Sequence, residues 1–274
     1  MPELPEVETV VRGLQKTIPG KTIKKVIIRE EKLLAFPEKK TFKREIKGRK
    51  IITVARKGKY IVIQLSGKKF LIVHLRMTGS LLVTTAAEPY DKYSYIIFKL
   101  SGKQDLRFNN KRKFGRVYLI NNRQWEKAGS ITCLGPEPLA AEFSLAKFKK
   151  LFKNRKGVIK SLLLKQDFIA GLGNIYTDES LFLAGIAPDR KADTLTEKEL
   201  TALYRAIITV LEKAIKYCGT SIADYVGING QTGAFQEQLN VYQQTGEKCP
   251  RCEEQINRIK ISGRSSHFCP GCQK

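Results

Sequence analysis

Four of the six cysteines stand as two Cys-x-x-Cys pairs near the C-terminus, Cys249 with Cys252 and Cys269 with Cys272, separated by sixteen residues. Nothing else in the sequence restricts the fold so tightly. Four thiolates at this spacing complete a closed tetrahedron around one zinc ion and leave no position for a catalytic water, so the metal is expected to be structural and to hold a hairpin. His267, two residues before Cys269, is a fifth candidate ligand that a full set of thiolates makes superfluous. Arg258, Lys260 and Arg264 lie between the pairs, with Arg264 at the expected hairpin tip, where a guanidinium can clamp a phosphate in a two-pronged fork. Each of the three, taken singly, reads equally well as a solvated cation. Cys133 and Cys218 fall outside this scheme and are expected to be buried thiols.

The N-terminus is the second constraint. Two prolines and three glutamates crowd the stretch Met1-Pro2-Glu3-Leu4-Pro5-Glu6-Val7-Glu8 of a chain whose net charge is +24. If Met1 is removed, as the small Pro2 permits, the chain begins with a secondary amine, a nucleophile that needs no side chain. Glu3 is then placed to shuttle a proton. Val7, Val10, Val11, Leu14 and Ile18 repeat at helical spacing, and Pro5 can open that helix because its missing N–H costs nothing there. The positive end of the helix dipole favours carboxylates and disfavours a protonated amine, which keeps Pro2 neutral and reactive. An acidic, N-capped first helix with no chemistry is the plainer reading of the same residues.

Fifty Lys and Arg against 26 Asp and Glu make a field that concentrates polyanions, so nucleic acid is the natural partner. Charge alone leaves a ribosome-like or merely charge-rich protein open. No apolar run approaches the roughly 20 residues of a membrane helix, and the N-terminus lacks the basic and apolar regions of a signal peptide. A soluble, cytoplasmic protein with no membrane partner is the expectation.

Along the chain, β-type runs at residues 21–29, 51–55, 60–65, 70–75, 81–84, 95–100 and 117–120 are punctuated by Gly48, Gly58, Gly67 and Gly102. Short strands at this spacing predict a sandwich or barrel, flanked by a helical segment at 41–46. Leu134-Gly135-Pro136-Glu137-Pro138 reads as a linker. Helical patterns follow at 143–152, 158–165, 175–183 and 197–217, and Gly219 is expected to end the last of them. A Gly-rich turn, Gly171-Leu172-Gly173-Asn174, joins the middle pair. Asn174 is expected to cap the second helix, whose exposed N–H groups can bind a phosphate. Residues 220–235 are polar and glycine-rich, a composition that suits a mobile loop.

Three stretches carry a resemblance. The N-terminal Pro-Glu-x-Pro-Glu, the segment Gln166-Asp167-Phe168-Ile169-Ala170-Gly171-Leu172-Gly173-Asn174-Ile175-Tyr176-Thr177-Asp178-Glu179, and the cysteine pairs together resemble the bifunctional DNA glycosylases of the formamidopyrimidine-DNA glycosylase and endonuclease VIII superfamily. The likeness spans essentially the whole chain. It implies an α+β, multi-domain protein: an N-terminal β-sandwich with flanking helices over residues 1–133, a helix-two-turn-helix domain with a lesion loop over 134–235, and a zinc-binding β-hairpin over 236–274. It implies one structural zinc, no catalytic metal, and a nucleoid-associated, bacterial-type monomer that acts on double-stranded DNA containing oxidised bases or abasic sites.

The same resemblance assigns residues. Pro2 is the nucleophile, Glu3 the proton carrier, Glu6 the carboxylate that orders the site, and Lys59 a contact to the flipped nucleotide and its phosphates. Asn174 holds a backbone phosphate, a role that Arg264 can share from its place at the hairpin tip, and Ala223, Tyr225 and Gly227 lie in the lesion loop. An enzyme reaching C1′ of a stacked nucleotide must extrude it and fill the hole. In His74-Leu75-Arg76-Met77-Thr78-Gly79 and Lys111-Arg112-Lys113-Phe114-Gly115, Met77 and Phe114 can wedge into a base step while Arg112 bonds the orphaned base. Without the resemblance, Met and Phe beside strands read as core. These residues favour the formamidopyrimidine branch, for oxidised purines, over an endonuclease VIII for oxidised pyrimidines. A catalytically silent zinc-bearing DNA-binding protein is the remaining alternative, and it has no need of a free Pro2. The chain departs from the family at Ala223, where relatives carry a basic residue, at Asn110, where Asp is usual, and at Lys165, where an acid is usual.

Overall fold

In the computed structural model, which describes residues 1–222 and 225–274, the periodicity of the N-terminus becomes α1 (Leu4–Thr17), with Glu3 at its N-cap. The strands β1 (Ile23–Ile28) and β2 (Leu34–Phe36) follow, then α2 (Lys39–Ile46). Next come β3 (Ile51–Lys57), β4 (Tyr60–Leu65), β5 (Lys69–His74), β6 (Gly79–Thr85), β7 (Ser94–Leu100), β8 (Gln104–Asn110) and β9 (Arg116–Asn121). They form two sheets, ordered β1-β7-β8-β6 and β2-β9-β5-β4-β3. All neighbours are antiparallel except β2 with β9.

Alternation along the strands decides which side chains meet. Phe98, Leu106 and Phe108 from the first sheet share one core with Ile61, Ile63, Leu71, Val117 and Leu119 from the second, and Val7, Val10 and Leu14 of α1 enter the same core. Each such side chain, fully withdrawn from water, is worth roughly 1.5–3 kcal/mol. α1 packs against β3, β4 and β6, and α2 against β1.

Neither β2 nor β8 shows in the sequence pattern. β8 is paired on both sides, with β7 and β6, yet it reads Gln-Asp-Leu-Arg-Phe-Asn-Asn. Its charges are buried together: Asp105 accepts from Lys99 at 2.9 Å and from Arg107 at 3.1 Å. Arg107 also donates to the carbonyls of Thr85, Glu88 and Pro89. Leu106 and Phe108 alternate with Asp105, Arg107 and Asn109, but two apolar residues among seven make a short signal, and nothing in the sequence shows that the charges beside them are buried as partners.

The chain divides into two units, Met1–Thr132 with Tyr217–Gln236, and Cys133–Lys216 with Glu237–Lys274. The second contains α3 (Leu145–Phe152), α4 (Ile159–Leu163), α5 (Asn174–Ala184), α6 (Glu197–Lys216) and the hairpin β10 (Asn257–Ile261) with β11 (Arg264–Phe268). The stripe Leu200, Leu203, Ile207, Val210 and Leu211 of α6 is buried, and α6 packs against α5 and α3. Gln166 builds the glycine-rich turn: its side chain donates to Leu172 O at 2.7 Å and accepts from Gly171 N at 3.0 Å. Glu179 accepts from the backbone N–H groups of Asn240, Val241 and Tyr242, which ties α5 to the segment leading into the cysteine pairs.

Residues 217–236 pack with the β-sandwich unit, and both ends of the segment are pinned. Ala234 N donates to Tyr217 O and Phe235 N to Gly219 O, Ser221 Oγ takes the N–H of Gly233, and Val83 N of β6 donates to Ile228 O. Gly233 serves close approach between backbones, since a Cβ there would lie 2.2 Å from Gly219 O. Cys133 and Cys218 are exposed, not buried. Cys218 follows the end of α6 at φ 60°, a left-handed position beyond the helix's buried stripe.

Candidate active site and metal centre

Pro2, Glu3 and Glu6 are buried together at the start of α1. Glu3 and Glu6 form a reciprocal capping box in which Glu3 N donates to Glu6 Oε2 at 2.6 Å. The second oxygen of Glu6 accepts from Thr220 N at 2.8 Å, so one carboxylate bridges the N-terminal segment and residues 217–236. Tyr225 OH donates to Glu6 O at 3.3 Å, and burial, then the Glu6 charge, pushes the Tyr225 phenol up and keeps it protonated. Gly219 has φ 81°, and a Cβ there would lie 2.7 Å from Glu6 Oε1. Sequence reasoning misses Thr220 and Gly219 as parts of the site; a glycine directly after a helix is the one signal available. Gly227 donates to Gln231 O within the same segment. Ala223 lies outside the described residues.

Lys59 sits in the β3–β4 turn and is 4% exposed, beside the end of β5. There His74 is buried against Tyr60, ring edge to ring face at 4.5 Å. Burial first, then the charges of Arg76 and Lys59, pulls the His74 pKa down to about 3. Its Nδ1 accepts from Arg76 N at 3.1 Å, so the neutral ring carries its proton on Nε2 and presents a donor there.

Met77 and Phe114 are 43% and 47% exposed, unusual for such side chains, so neither belongs to the core. Arg112 joins them: its guanidinium lies 5.0 Å from the Phe114 ring centre and Nη1 is 3.5 Å from Met77 Sδ. Asn110 fastens the two turns that carry the trio. Its Oδ1 accepts from Phe114 N and Thr78 Oγ1, and its Nδ2 donates to Leu75 O at 3.4 Å. An aspartate could not make that last bond, which gives the departure at Asn110 a physical reason.

In the second unit Asn174 is not the N-cap. Gly173 holds that position, and Asn174 is the first helical residue, its Nδ2 donating to Ser265 O of β11 at 2.9 Å. Lys160, fully buried, donates to the same carbonyl at 2.7 Å and pairs with Asp178 at 2.6 Å. His267 N and Nδ1 both turn to Asp178, so His267 is a brace and not a metal ligand. Arg264 is exposed beside the hairpin turn, where Ser262 and Gly263 both have positive φ, as tight hairpins require.

The sulfurs of Cys249, Cys252, Cys269 and Cys272 lie within 4.8 Å of one another. Three of their separations are 3.3, 3.5 and 3.8 Å. A regular tetrahedron with Zn–S near 2.3 Å has edges of about 3.8 Å, so the cluster fits zinc. Arg251 N and Cys272 N donate to the sulfurs of Cys249 and Cys269. The Cys252 sulfur, then burial, pushes the Cys272 thiol up to about 12, whereas at Cys249 burial is outweighed by the backbone N–H groups of Arg251 and Cys252, which bring it down to about 7, so a divalent cation is needed for Cys272 to ionise beside its neighbours. Arg251 ties the finger to α5, donating to Phe182 O at 2.8 Å and stacking on the Phe182 ring at 4.3 Å.

Three family models match in sequence: the formamidopyrimidine-DNA glycosylase N-terminal domain over residues 1–117, its H2TH domain over 134–226, and a zinc finger found in FPG and IleRS over 246–274. The chain is 46% identical over 274 residues to the formamidopyrimidine-DNA glycosylase of Pelotomaculum thermopropionicum, covering 100% of this chain and 99% of that one. It is 42% identical to that of Enterococcus faecalis, covering 100% and 98%. Among solved structures, Lactococcus lactis Fpg with abasic-site DNA superposes with a TM-score of 0.92 at 39% identity, over 99% of each chain. A MutM complex with carbocyclic 8-oxo-G DNA gives 0.91 at 39%, over 100% of each.

Proposed function

The chain belongs to the formamidopyrimidine-DNA glycosylase family, and from that premise we propose that it excises oxidised purines from duplex DNA and nicks the strand through a Schiff base on Pro2. DNA-repair glycosylase and abasic-site lyase activity come with the family; the substrate class and the intermediate are the proposal. The observation that carries it is the buried start of α1, where Glu3 adjoins Pro2 and Glu6 bonds both Glu3 N and Thr220 N. Solved relatives hold Fapy-dG, abasic-site and 8-oxo-G DNA, which supports purine lesions as the substrate class.

The chemistry follows from a secondary amine. With Met1 removed, the Pro2 nitrogen attacks C1′, the glycosidic bond breaks, and the base leaves with its electron pair and takes up the proton that the Pro2 N–H gives up. Glu3 delivers a proton to the ring oxygen as the sugar opens, leaving a cationic iminium. That electron sink makes the C2′ proton acidic, so the 3′ phosphate leaves by β-elimination and the 5′ phosphate by δ-elimination. Lys59, Asn174 and Arg264 supply charge and donors for the phosphates. Met77, Arg112 and Phe114 take the space of the extruded base, with Arg112 facing its partner, and Tyr225 and Gly227 belong to the segment that meets the lesion. Such an enzyme works on the nucleoid in the cytoplasm.

The test compares single-turnover excision of 8-oxoguanine opposite cytosine with excision of an oxidised pyrimidine. Faster purine excision is expected. Faster pyrimidine excision overturns the proposed substrate.

A further inference from the structure

Gly13 lies in the middle of α1, where glycine is the poorest helix former after proline. Its φ is not positive, so backbone freedom is not what the position requires. Space is. A Cβ at Gly13 would stand 2.9 Å from both Cγ1 and Cδ1 of Ile228 and 3.4 Å from Cγ2. Ile228 is 8% exposed, belongs to the same apolar core as α1, and is held from the other side by Val83 N on its carbonyl at 3.0 Å. Seven residues earlier, on the same face of α1, Glu6 receives Tyr225 OH and Thr220 N. The segment that carries Tyr225 and Ile228 is therefore seated on the nucleophile's own helix twice, by polar contacts at Glu6 and by packing at Gly13.

The geometry points to Gly13 as a positioning residue: the notch it leaves on α1 seats Ile228 and thereby sets where the lesion-facing segment stands relative to Pro2. This rests on the reading that residues 217–236 meet the damaged base, and it adds a determinant that touches no substrate. A side chain at position 13 displaces Ile228 while leaving Pro2, Glu3 and Glu6 in place. Base excision then suffers, whereas cleavage of a preformed abasic site, which offers no base to position, does not.

The experiment measures both activities for the wild type, Gly13→Ala, Ile228→Ala and the double variant, with circular dichroism to verify folding. Gly13→Ala is expected to slow excision of 8-oxoguanine about tenfold, as overpacking of a filled site does, with abasic-site cleavage within about twofold of wild type. The double variant, with room for the new methyl, is expected to excise faster than Gly13→Ala alone. Wild-type excision by Gly13→Ala overturns the inference. So does an equal fall in both activities that Ile228→Ala does not relieve. If the wild type prefers another damaged base, the same ratio is measured on that base, so failure of the substrate reading leaves this test decisive.

Discussion

Burial gives His74 a protonation state that its motif does not disclose. Its folded pKa, about 3, lies below the ordinary value, so the unfolded chain takes up the proton first as pH falls. The stability this neutral ring contributes is fully present above about pH 6.5 and is lost as pH falls toward about 3, at about 1.4 kcal/mol per pH unit. His74→Asn keeps an acceptor for Arg76 N and cannot titrate. Its denaturant stability is expected to fall less steeply than wild type between about pH 6 and about pH 4, and parallel slopes would contradict the assignment. Glu6 shows the same limit of sequence: the capping-box spacing to Glu3 is visible, but its bond to Thr220, 214 residues away, is not.

Among the elements, helices and most strands are legible because each keeps one periodicity over several residues. β8 is not, since its alternation holds only Leu106 and Phe108 as apolar residues and the burial of Asp105 with Arg107 cannot be read from the sequence. In the segment 217–236 the sequence shows the glycines but not which backbone Gly233 approaches or which carboxylate Gly219 leaves room for. The cysteine pairs are legible from spacing alone, and the turn of His267 toward Asp178 leaves the four sulfurs as the ligand set. Because β11 holds Asn174 and Lys160 through Ser265 O, losing the metal removes more than the finger. Cys249→Ser is expected to abolish zinc retention and DNA affinity while the β-sandwich unit, with a core of its own, stays folded. Full affinity in verified metal-free protein would contradict this.

For the whole molecule, a net charge of +24 accounts for attraction to DNA without specifying any chemistry, and the zinc accounts for architecture. In the proposed mechanism catalysis rests on a single atom, the Pro2 nitrogen, and on whether it is free. The most direct measurement is borohydride trapping on duplex DNA containing 8-oxoguanine, with the cross-linked peptide sequenced by mass spectrometry. The account predicts a covalent adduct at Pro2, sharply reduced in Pro2→Gly and absent from protein that retains Met1. An adduct mapped to a lysine, or equal trapping by protein that retains Met1, would contradict it.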